Sequence, residues 1–564
     1  MGPIRPVLAL RLPLLVSGVC LIAMPCQAQW FQNGKSICEA TGGQEQPVAV
    51  PDGTGGAIVA WEDFRSSGDI YAQRINGSGL TVWTANGVGV CTATNEQFDV
   101  DIAPDGAGGA ILVWEDFRAN GDIYAQRVSA AGAPQWTANG VALCTALDEQ
   151  YAPRIVADGS GGALVVWGDF RLGTGQIYAQ KVDASGALLW GTNGALACSV
   201  VADQFGGVIA SDGAGGAIIA WYDFRNGLAD IFAQRLDAVT GARQWGDSGV
   251  AVCDTAGTQA IPVIVSDGAG GVIVLWEDNR AVGNDLYAQR LNASGVAQWA
   301  VDGAPVCTAV GNQGGAVAIS LGAGEAIASW QDGRNGADDI FVQRIGSSGA
   351  GLWTAGGVAL CATNGAQTMP SIVSDGAGGA IVSWQDLRSG TADIYARRVN
   401  SSGTPQWTAN GVLLCGANLA QTLPAIASDG ASGAVVAWED YRFGPSDIFA
   451  GRVLADGSLP TPTGVPGGAV VASGYLAPIV PNPFRSETAL EFALPTPGPA
   501  SLRIYDASGR LVRTIMDGVF PAGAQRARWD GLDDGGRRVA GGVYFARLAG
   551  PDVSASRKII RIAD

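Results

Sequence analysis

Carboxylate and guanidinium groups recur two residues apart along this 564-residue chain. The first copy is Trp61-Glu-Asp-Phe-Arg65, followed after a short gap by Asp69-Ile-Tyr-Ala-Gln-Arg74. Such an Asp and Arg beside a turn can pair and bind turn amides, or act as an acid and a base. A catalytic pair is needed once, whereas this pair occurs in every repeat, so we predict a structural role. The pairs are Asp63 and Arg65, Asp116 and Arg118, Asp169 and Arg171, Asp223 and Arg225, Asp278 and Arg280, Asp332 and Arg334, Asp386 and Arg388, and Asp440 and Arg442.

The composition argues against most catalysis and against nucleic-acid binding. The sequence contains no histidine, which removes histidine-activated nucleophiles, histidine general bases and histidine metal ligands. The net charge of -17 disfavours binding to nucleic acid and to anionic membrane surfaces. We therefore predict a protein that is not an enzyme, binds no nucleic acid and carries no cofactor.

A second aspartate follows the Asp-Arg pair in seven repeats, and the third repeat has Gln176 at this position. Calcium takes six to eight oxygen ligands, and one carboxylate near a glycine turn falls short of that set. We predict no metal site, and a Ca²⁺ ion in each repeat is the alternative. The aspartates are Asp69, Asp122, Asp230, Asp285, Asp339, Asp393 and Asp447.

A glutamine stands seventeen residues before the leading tryptophan of every repeat. If the strand that follows is innermost, eight side-chain amides form a ring at one mouth of a central channel. Such a ring would offer hydrogen bonds to a glycan or a peptide end. The alternative is that each amide bonds backbone groups of its own or the next repeat. The glutamines are Gln44, Gln97, Gln150, Gln204, Gln259, Gln313, Gln367 and Gln421.

The repeat period predicts the fold. Successive leading tryptophans are 53 to 55 residues apart, and each repeat has four apolar stretches bounded by Gly-containing turns. Eight such units predict an all-β, eight-bladed β-propeller with four strands in each blade. The tryptophans are Trp61, Trp114, Trp167, Trp221, Trp276, Trp330, Trp384 and Trp438.

The two ends of the repeat array predict a closed ring. A Trp-x-x-x-Gly-x-x-x-Cys segment also occurs eight times, and its first copy, at Trp30, precedes every Asp-Arg pair. The last repeat ends near Arg452 without such a copy after it. The N-terminal segment can therefore complete the last blade, which an open array does not require.

Cysteine is found once in each repeat, at equivalent positions. If the cysteines lie on outer strands, neighbouring copies are too far apart for a disulfide, which needs Cα atoms within roughly 7 Å. We predict buried free thiols, with disulfides or a metal cluster as the alternative. Cys20 and Cys26 fall near the N-terminus, where a lipid-modified cysteine is another alternative. The repeat cysteines are Cys38, Cys91, Cys144, Cys198, Cys253, Cys307, Cys361 and Cys415.

The N-terminus reads as a signal peptide over residues 1–28. Arg5 and Arg11 supply its basic part, Leu12–Met24 its apolar part, and Cys26-Gln-Ala28 its cleavage site. The apolar run is shorter than the ~20 residues that a membrane span needs, and no later segment is long enough. We predict no membrane span.

The composition divides the rest of the chain into three parts. We assign residues 29–454 to the propeller, and the Pro- and Gly-rich residues 455–474 to a linker. Residues 475–564 contain short strand-like runs separated by turns, which predicts an immunoglobulin-like β-sandwich.

The last segment also resembles a known bacterial module. The motifs are Pro481-Asn-Pro-Phe484, Ile504-Tyr-Asp-Ala-Ser-Gly-Arg-Leu-Val512, Ala522-Gly523, Trp529-Asp-Gly531 and Gly541-Gly-Val-Tyr-Phe545. They are similar to the flagellar hook-capping type of immunoglobulin-like domain and to type IX secretion C-terminal sorting domains. The resemblance implies export across the outer membrane through secretion machinery that binds this domain. Sorting and attachment both stay open as its role.

Together these patterns predict a secreted or cell-surface monomer that binds a glycan, a peptide or an envelope protein on one propeller face. One rival is a secreted glycosidase or lyase with a carboxylate pair in the channel, for which Glu325 is a candidate because the sixth repeat is the least regular. Another rival is a structural envelope component.

Overall fold

A computed structural model describes most of the chain outside its N-terminal segment and the linker. The predicted signal peptide lies outside the described residues, as do residues 461–474 of the linker. In the described part, no helix is long and apolar enough to cross a membrane. The described residues are 30–31, 33–460, 475–477, 479, 482–494, 498–520, 523–550 and 553–563.

Residues 33–460 form eight four-stranded antiparallel sheets, the blades, numbered here in chain order from Gln44. In each blade the strands pair in the order first, second, third, fourth. The first strands of neighbouring blades contact one another all the way round, including blade 8 with blade 1. The predicted eight-bladed propeller is therefore confirmed, with the first strands around a central channel and the fourth strands outermost.

The strand bounds repeat closely from blade to blade. The first strands are Gln44–Pro51, Gln97–Pro104, Gln150–Ala157, Gln204–Ser211, Gln259–Ser266, Gln313–Gly322, Gln367–Ser374 and Gln421–Ser428. The second strands are Ala57–Asp63, Ala110–Asp116, Ala163–Asp169, Ala217–Asp223, Val272–Asp278, Glu325–Asp332, Ala380–Asp386 and Ala434–Asp440. The third strands are Asp69–Ile75, Asp122–Val128, Gln176–Val182, Asp230–Leu236, Asp285–Leu291, Asp339–Ile345, Asp393–Val399 and Asp447–Val453. The fourth strands are Val88–Cys91, Val141–Cys144, Ala195–Leu196, Val250–Cys253, Ala304–Cys307, Val358–Cys361, Val412–Cys415 and, in blade 8, Lys35–Cys38.

The N-terminal strand closes the ring as the sequence predicts. Lys35–Cys38 pairs antiparallel with Asp447–Val453, with Lys35 opposite Ala450. Side chains from both ends of the propeller share one core here, since Trp30 and Ile37 pack with Trp61 of blade 1. The first and last repeats are thus joined by hydrogen bonds and by apolar burial.

The second strands are the most buried elements because neighbouring blades cover both of their faces. Every residue of Ala57–Asp63 is buried, and the leading tryptophans have no exposed surface. Apolar cores form between blades, as where Ile58 of blade 1 packs with Trp114 of blade 2. Burial between blades explains why these strands are apolar on both faces rather than alternating.

The propeller has two unlike faces. The upper face carries the loops from second to third strands and from fourth strands to the next blade. The lower face carries the turns from first to second strands. In blade 1 the Asp52 carboxylate accepts hydrogen bonds from the amides of Thr54 and Gly56, while Gly53 and Gly55 have positive φ. This turn chemistry explains the repeated Asp-Gly-x-Gly-Gly sequence.

The C-terminal part is a β-sandwich of two antiparallel sheets. One contains Tyr475–Leu476, Thr488–Leu494 and Gly523–Trp529, and the other contains Gly498–Asp506, Leu511–Phe520, Gly542–Gly550 and Val553–Arg561. Trp529, Phe492 and Leu502 lie in the shared core. The sandwich touches the propeller's upper face at blade 8, where Arg528 Nη2 lies 2.5 Å from Glu39 Oε2.

Candidate functional site

The Asp-Arg pairs are salt bridges in all eight blades. In blade 1, Arg65 Nε donates to Asp63 Oδ1 at 2.7 Å and Nη2 donates to Oδ2 at 2.6 Å. The indole Nε1 of Trp61 also donates to Asp63 Oδ2, at 2.8 Å. The guanidinium carbon lies 3.8 Å from the ring centre of Tyr71. Each carboxylate and guanidinium is therefore already bonded to neighbouring groups, which leaves no free acid or base at this position.

The same network reaches the preceding blade through its cysteine. Arg65 Nη2 lies 3.4 Å from the Sγ of Cys38, which ends the closing strand. Burial raises the pKa of the Cys38 thiol to about 12, so it stays protonated. All eight repeat cysteines are buried and free, which confirms the prediction for them.

The glutamine ring is not at the channel mouth. Gln44 Nε2 donates to Ala40 O at 3.3 Å and to Gly42 O at 3.1 Å, within its own loop. Its backbone N–H donates to Ser446 O of the preceding blade at 2.7 Å. This is the backbone-bonding alternative, and full burial withholds these amides from a ligand in the channel. The correction applies to Gln44, Gln97, Gln150, Gln204, Gln259, Gln313, Gln367 and Gln421, all 0% exposed.

The seven further aspartates begin the third strands on the upper face and are buried. Burial raises the pKa of Asp122 to about 6 and that of Asp447 to about 8. Among the described residues, no group of three or more Cys, Asp and Glu side chains is arranged to hold a metal ion. Gln176 replaces this aspartate in blade 3, where its Nε2 donates to Ala202 O at 2.7 Å. The absence of a metal site stays a prediction, with calcium as its alternative.

Glu325 has a structural partner. In blades 1, 2, 4, 5, 7 and 8 an arginine of the third strand pairs with the aspartate of the lower-face turn. Blade 6 has Leu321 at the aspartate position, and Glu325 pairs with Arg344 instead, with Arg344 Nη2 2.6 Å from Glu325 Oε2. The turn is rebuilt with Ala323 and Gly324 at positive φ. The Glu325 carboxylate thus faces the third strand, whereas the enzyme rival requires it to face the channel.

A cavity of about 520 Å³ opens at the upper mouth of the channel. Its lining comes from the first strands of six blades, two to four residues after the buried glutamines, and from Gln331 on the second strand of blade 6. On one side lie Asp99 and Asp101 of blade 2 and Arg154 of blade 3, with Arg154 Nη1 3.2 Å from Asp99 Oδ1. On the other side lie Met369 of blade 7 and Leu423 of blade 8. The mouth therefore has one charged side and one apolar side.

Backbone geometry aims these residues into the channel. The residue two after each glutamine has positive φ, including Asp99 at 50° and Met369 at 54°, and the strand pairing is interrupted just there. Such a bulge turns one side chain out of the pleat. A side-chain carboxylate or amide of the preceding blade accepts a backbone N–H of the bulge and holds it in place. For example, Asp99 N donates to Glu62 Oε1 at 2.7 Å. Sequence reasoning missed this position because its residue type differs in almost every blade.

Two glutamates near the mouth have strongly raised pKa values. Burial raises the pKa of Glu62 and that of Glu115 to about 7, and nearby carboxylates add to the effect. Blade 6 has Gln331 at this position, and its Oε1 accepts the Met369 amide at 2.7 Å. At this position the glutamate or glutamine side chain accepts a backbone N–H from the bulge of the next blade.

Comparison with known proteins identifies part of the chain. Residues 483–550 match the family described as FlgD Ig-like domain, which supports the predicted C-terminal immunoglobulin-like domain. A search of curated proteins gives no match.

Solved structures are similar to the chain only at low identity. A fungal alcohol oxidase of the AA5 family has 12% identity and a TM-score of 0.36, with 92% of this chain and 99% of that chain covered. The polysaccharide lyase Uly1 has 10% identity, a TM-score of 0.38, and coverage of 67% and 95%. PorZ, a type IX secretion component of Porphyromonas gingivalis, has 11% identity, a TM-score of 0.23, and coverage of 94% and 100%. These TM-scores are too low to carry an argument about activity.

Proposed function

We propose that this protein is an exported, non-catalytic binding protein whose ligand occupies the upper mouth of the propeller channel. The C-terminal domain delivers it to the outside of the cell or holds it at the surface. The observation that carries the proposal is the cavity at the channel mouth. Its lining differs between blades although most other repeat positions are nearly constant.

The chemistry of the mouth suits binding. The cavity volume of about 520 Å³ is within the range of small-ligand sites. Arg154 is exposed and paired with Asp99, so it offers donors beside a carboxylate acceptor. Burial raises the pKa of Asp101, whose Oδ2 accepts the Ile155 amide at 3.0 Å. The Asp-Arg pairs are saturated, which supports recognition rather than catalysis.

Export rests on the C-terminal domain and on the predicted signal peptide. The match to the FlgD Ig-like domain supports an extracytoplasmic destination. The resemblance to type IX sorting domains supplies the finer proposal of passage across the outer membrane.

Localisation in the native host tests the delivery step. We compare the full chain with a chain truncated after Gly474, which keeps the propeller. Retention of the truncated form in the periplasm, with the full chain outside, supports sorting. Equal distribution of the two forms contradicts sorting and leaves attachment as the domain's role.

Binding to printed arrays of glycans and peptides tests the mouth itself. The full mature chain is compared with Arg154→Ala and with Arg243→Ala, a second surface arginine in an ion pair with an aspartate. We expect binding that weakens at least tenfold in Arg154→Ala and is unchanged in Arg243→Ala. Equal binding by both variants contradicts a site at the mouth. Release of new reducing ends or unsaturated sugars from bound glycans would favour the enzyme rival.

A further inference from the structure

Aromatic side chains are concentrated on one half of the upper face. The repeat position between the paired Asp and Arg is phenylalanine in blades 1 to 4, and blades 2 to 4 add an aromatic residue after the buried glutamine. Tyr222 adds one more. These rings are half-buried, and Phe224 is 38% exposed. The aromatic arc consists of Phe64, Phe98, Phe117, Tyr151, Phe170, Phe205, Tyr222 and Phe224.

Ring contacts join blade 1 to blade 2 and blade 3 to blade 4. Phe64 of blade 1 lies 6.1 Å from Phe98 of blade 2, which lies 6.1 Å from Phe117. Phe170 of blade 3 lies 6.4 Å from Phe205 of blade 4. Glycine makes room for some rings, since a Cβ on Gly168 would lie 2.3 Å from the Tyr151 ring.

Exposed carboxylates accompany the rings in the same blades. The residue before the buried glutamine is Glu96, Glu149 or Asp203 in blades 2, 3 and 4, and each is exposed. The backbone carbonyl of Glu149 accepts the Phe170 amide at 3.0 Å, and every blade makes this backbone bond. In blades 2 to 4 the two residues that it joins are an acid and a phenylalanine. One aromatic-carboxylate pair therefore recurs in three consecutive blades.

Blades 5 to 7 lack this chemistry, and blade 8 has two upper-face rings, Tyr441 and Phe443, but no acid before its glutamine. At the position of the phenylalanines, blades 5 to 8 have Asn279, Gly333, Leu387 and Tyr441. At the position of the exposed acids they have Thr258, Asn312, Ala366 and Ala420. Residues that differ in consecutive blades, while the framework around them stays constant, point to one ligand lying along blades 1 to 4.

We propose that a neutral polysaccharide binds along the aromatic arc, one sugar unit after another, with its end at the channel mouth. This deepens the proposed function by naming the ligand class. Ring faces bury the C–H surface of a sugar, and the exposed carboxylates accept hydrogen bonds from its hydroxyl groups. A site repeated at one-blade intervals suits a ligand with repeating units. Polyanions are disfavoured because Glu96, Glu149 and Asp203 give this half of the face negative charge.

Native gels cast with soluble polysaccharides test the proposal on the full mature chain. The neutral probes are a mixed-linkage β-glucan, a xylan and a galactomannan, and alginate is the anionic probe. The test variant is Phe117→Leu with Phe170→Leu, and the matched control is Tyr441→Leu at the same repeat position outside the arc. Leucine occurs there naturally in blade 7, as Leu387, so both variants should fold, which thermal unfolding checks.

We expect at least one neutral polysaccharide to slow migration, about tenfold loss of affinity in the test variant, no change in the control and no effect of alginate. The proposal is overturned if no neutral polysaccharide binds, or if both variants bind equally. Aromatic and acidic groups also attract basic peptides, so binding of a Lys- and Arg-rich peptide is measured by fluorescence anisotropy. If only the peptide binds, and the test variant loses it, the polysaccharide is wrong while a binding protein stands. If all array probes also fail, the proposed function falls with it.

Discussion

The thiol of each repeat lies between two blades, and its burial there keeps it protonated. Cys38 lies near the Asp63 carboxylate, 3.9 Å from its Oδ2, and near the Arg65 guanidinium. Burial nevertheless dominates and raises its pKa to about 12. Cys415 of blade 7 has the same surroundings, from Asp440 and Arg442 of blade 8, and burial again raises its pKa to about 12. A thiolate is the reactive form of cysteine, so these side chains behave as small packing groups.

Thiol labelling tests this reading. We expect Ellman's reagent to label none of the eight thiols in the native mature chain at pH 8 over an hour. All eight should react after unfolding in guanidinium chloride, because none is in a disulfide. Fewer than eight thiols in the unfolded, unreduced chain would show disulfides that the structure lacks.

The glutamates at the mouth make stability depend on pH. The pKa of Glu62 rises from an ordinary value near 4.5 to about 7 in the folded protein. The folded state therefore holds a proton that the unfolded state releases. This contribution to stability is full below about pH 4.5 and is lost as pH rises through 7.

Glu62→Gln removes this dependence while keeping the hydrogen bond to Asp99, as Gln331 does in blade 6. We expect the variant to be more stable than wild type by about 1 to 3 kcal/mol at pH 8, and by much less at pH 5. Urea unfolding at both pH values measures this difference. An equal effect at pH 5 and pH 8 would mean that the glutamate is not protonated in the fold.

The turn between first and second strands shows how one element keeps its ion pair when its sequence changes. In blade 7, Asp375 bonds the turn amides of Ala377 and Gly379 and pairs with Arg398. A Cβ on Gly379 would lie 2.1 Å from the Val399 carbonyl oxygen, so a glutamate cannot enter that turn unchanged. Blade 6 instead lengthens its first strand to Gly322, and the tighter turn places Glu325 against Arg344.

Restoring the common sequence should restore the common turn. We expect Leu321→Asp with Glu325→Gly to be within about 1 kcal/mol of wild type in urea unfolding, whereas Glu325→Gly alone loses about 1 kcal/mol because Arg344 loses its partner. If the double variant loses as much stability as Glu325→Gly alone, the two turns are not interchangeable. Unchanged ligand binding in Glu325→Gln would also agree with a structural role.

Across the whole molecule, charge is divided between the two folded parts. Residues 475–564 contain twelve basic and nine acidic side chains, a net charge of +3, which leaves -20 on residues 1–474. Arg526 and Arg528 alternate with buried Ala527 and Trp529, so both point away from the sandwich core. They meet Glu39, which directly follows the closing strand and is 7% exposed. No other blade has glutamate after this cysteine, so the contact is specific to the seam.

Reversing this charge should release the sandwich. We expect Glu39→Arg to increase the radius of gyration in small-angle scattering and to speed proteolysis in the linker several-fold, since a buried ion pair is lost. Adding Arg526→Glu and Arg528→Glu should restore both readouts. Asp254→Arg is the control, because Asp254 is exposed at the equivalent position in blade 4. Unchanged scattering in Glu39→Arg would contradict docking at the seam.

The sequence alone determined the architecture, because each repeat carries the same turn residues and the same pattern of apolar residues. Eight copies of Trp-x-Asp-x-Arg, Gly-rich turns and apolar second strands predict blades, and the unmatched segment at Trp30 predicts closure. The free thiols also follow, since equivalent positions in a ring are kept apart by its geometry. These inferences need only periodicity, turn chemistry and strand spacing.

Only the tertiary structure decided where the repeat's polar groups point. The glutamines occupy a constant position, yet the strand after them bulges, so each amide is buried and the variable residue two places later faces the channel. Glu325 was a candidate acid because it departs from the pattern, but its partner Arg344 lies nineteen residues away. A bulge and a contact between distant residues depend on how blades pack, and the order of residue types does not encode that packing locally.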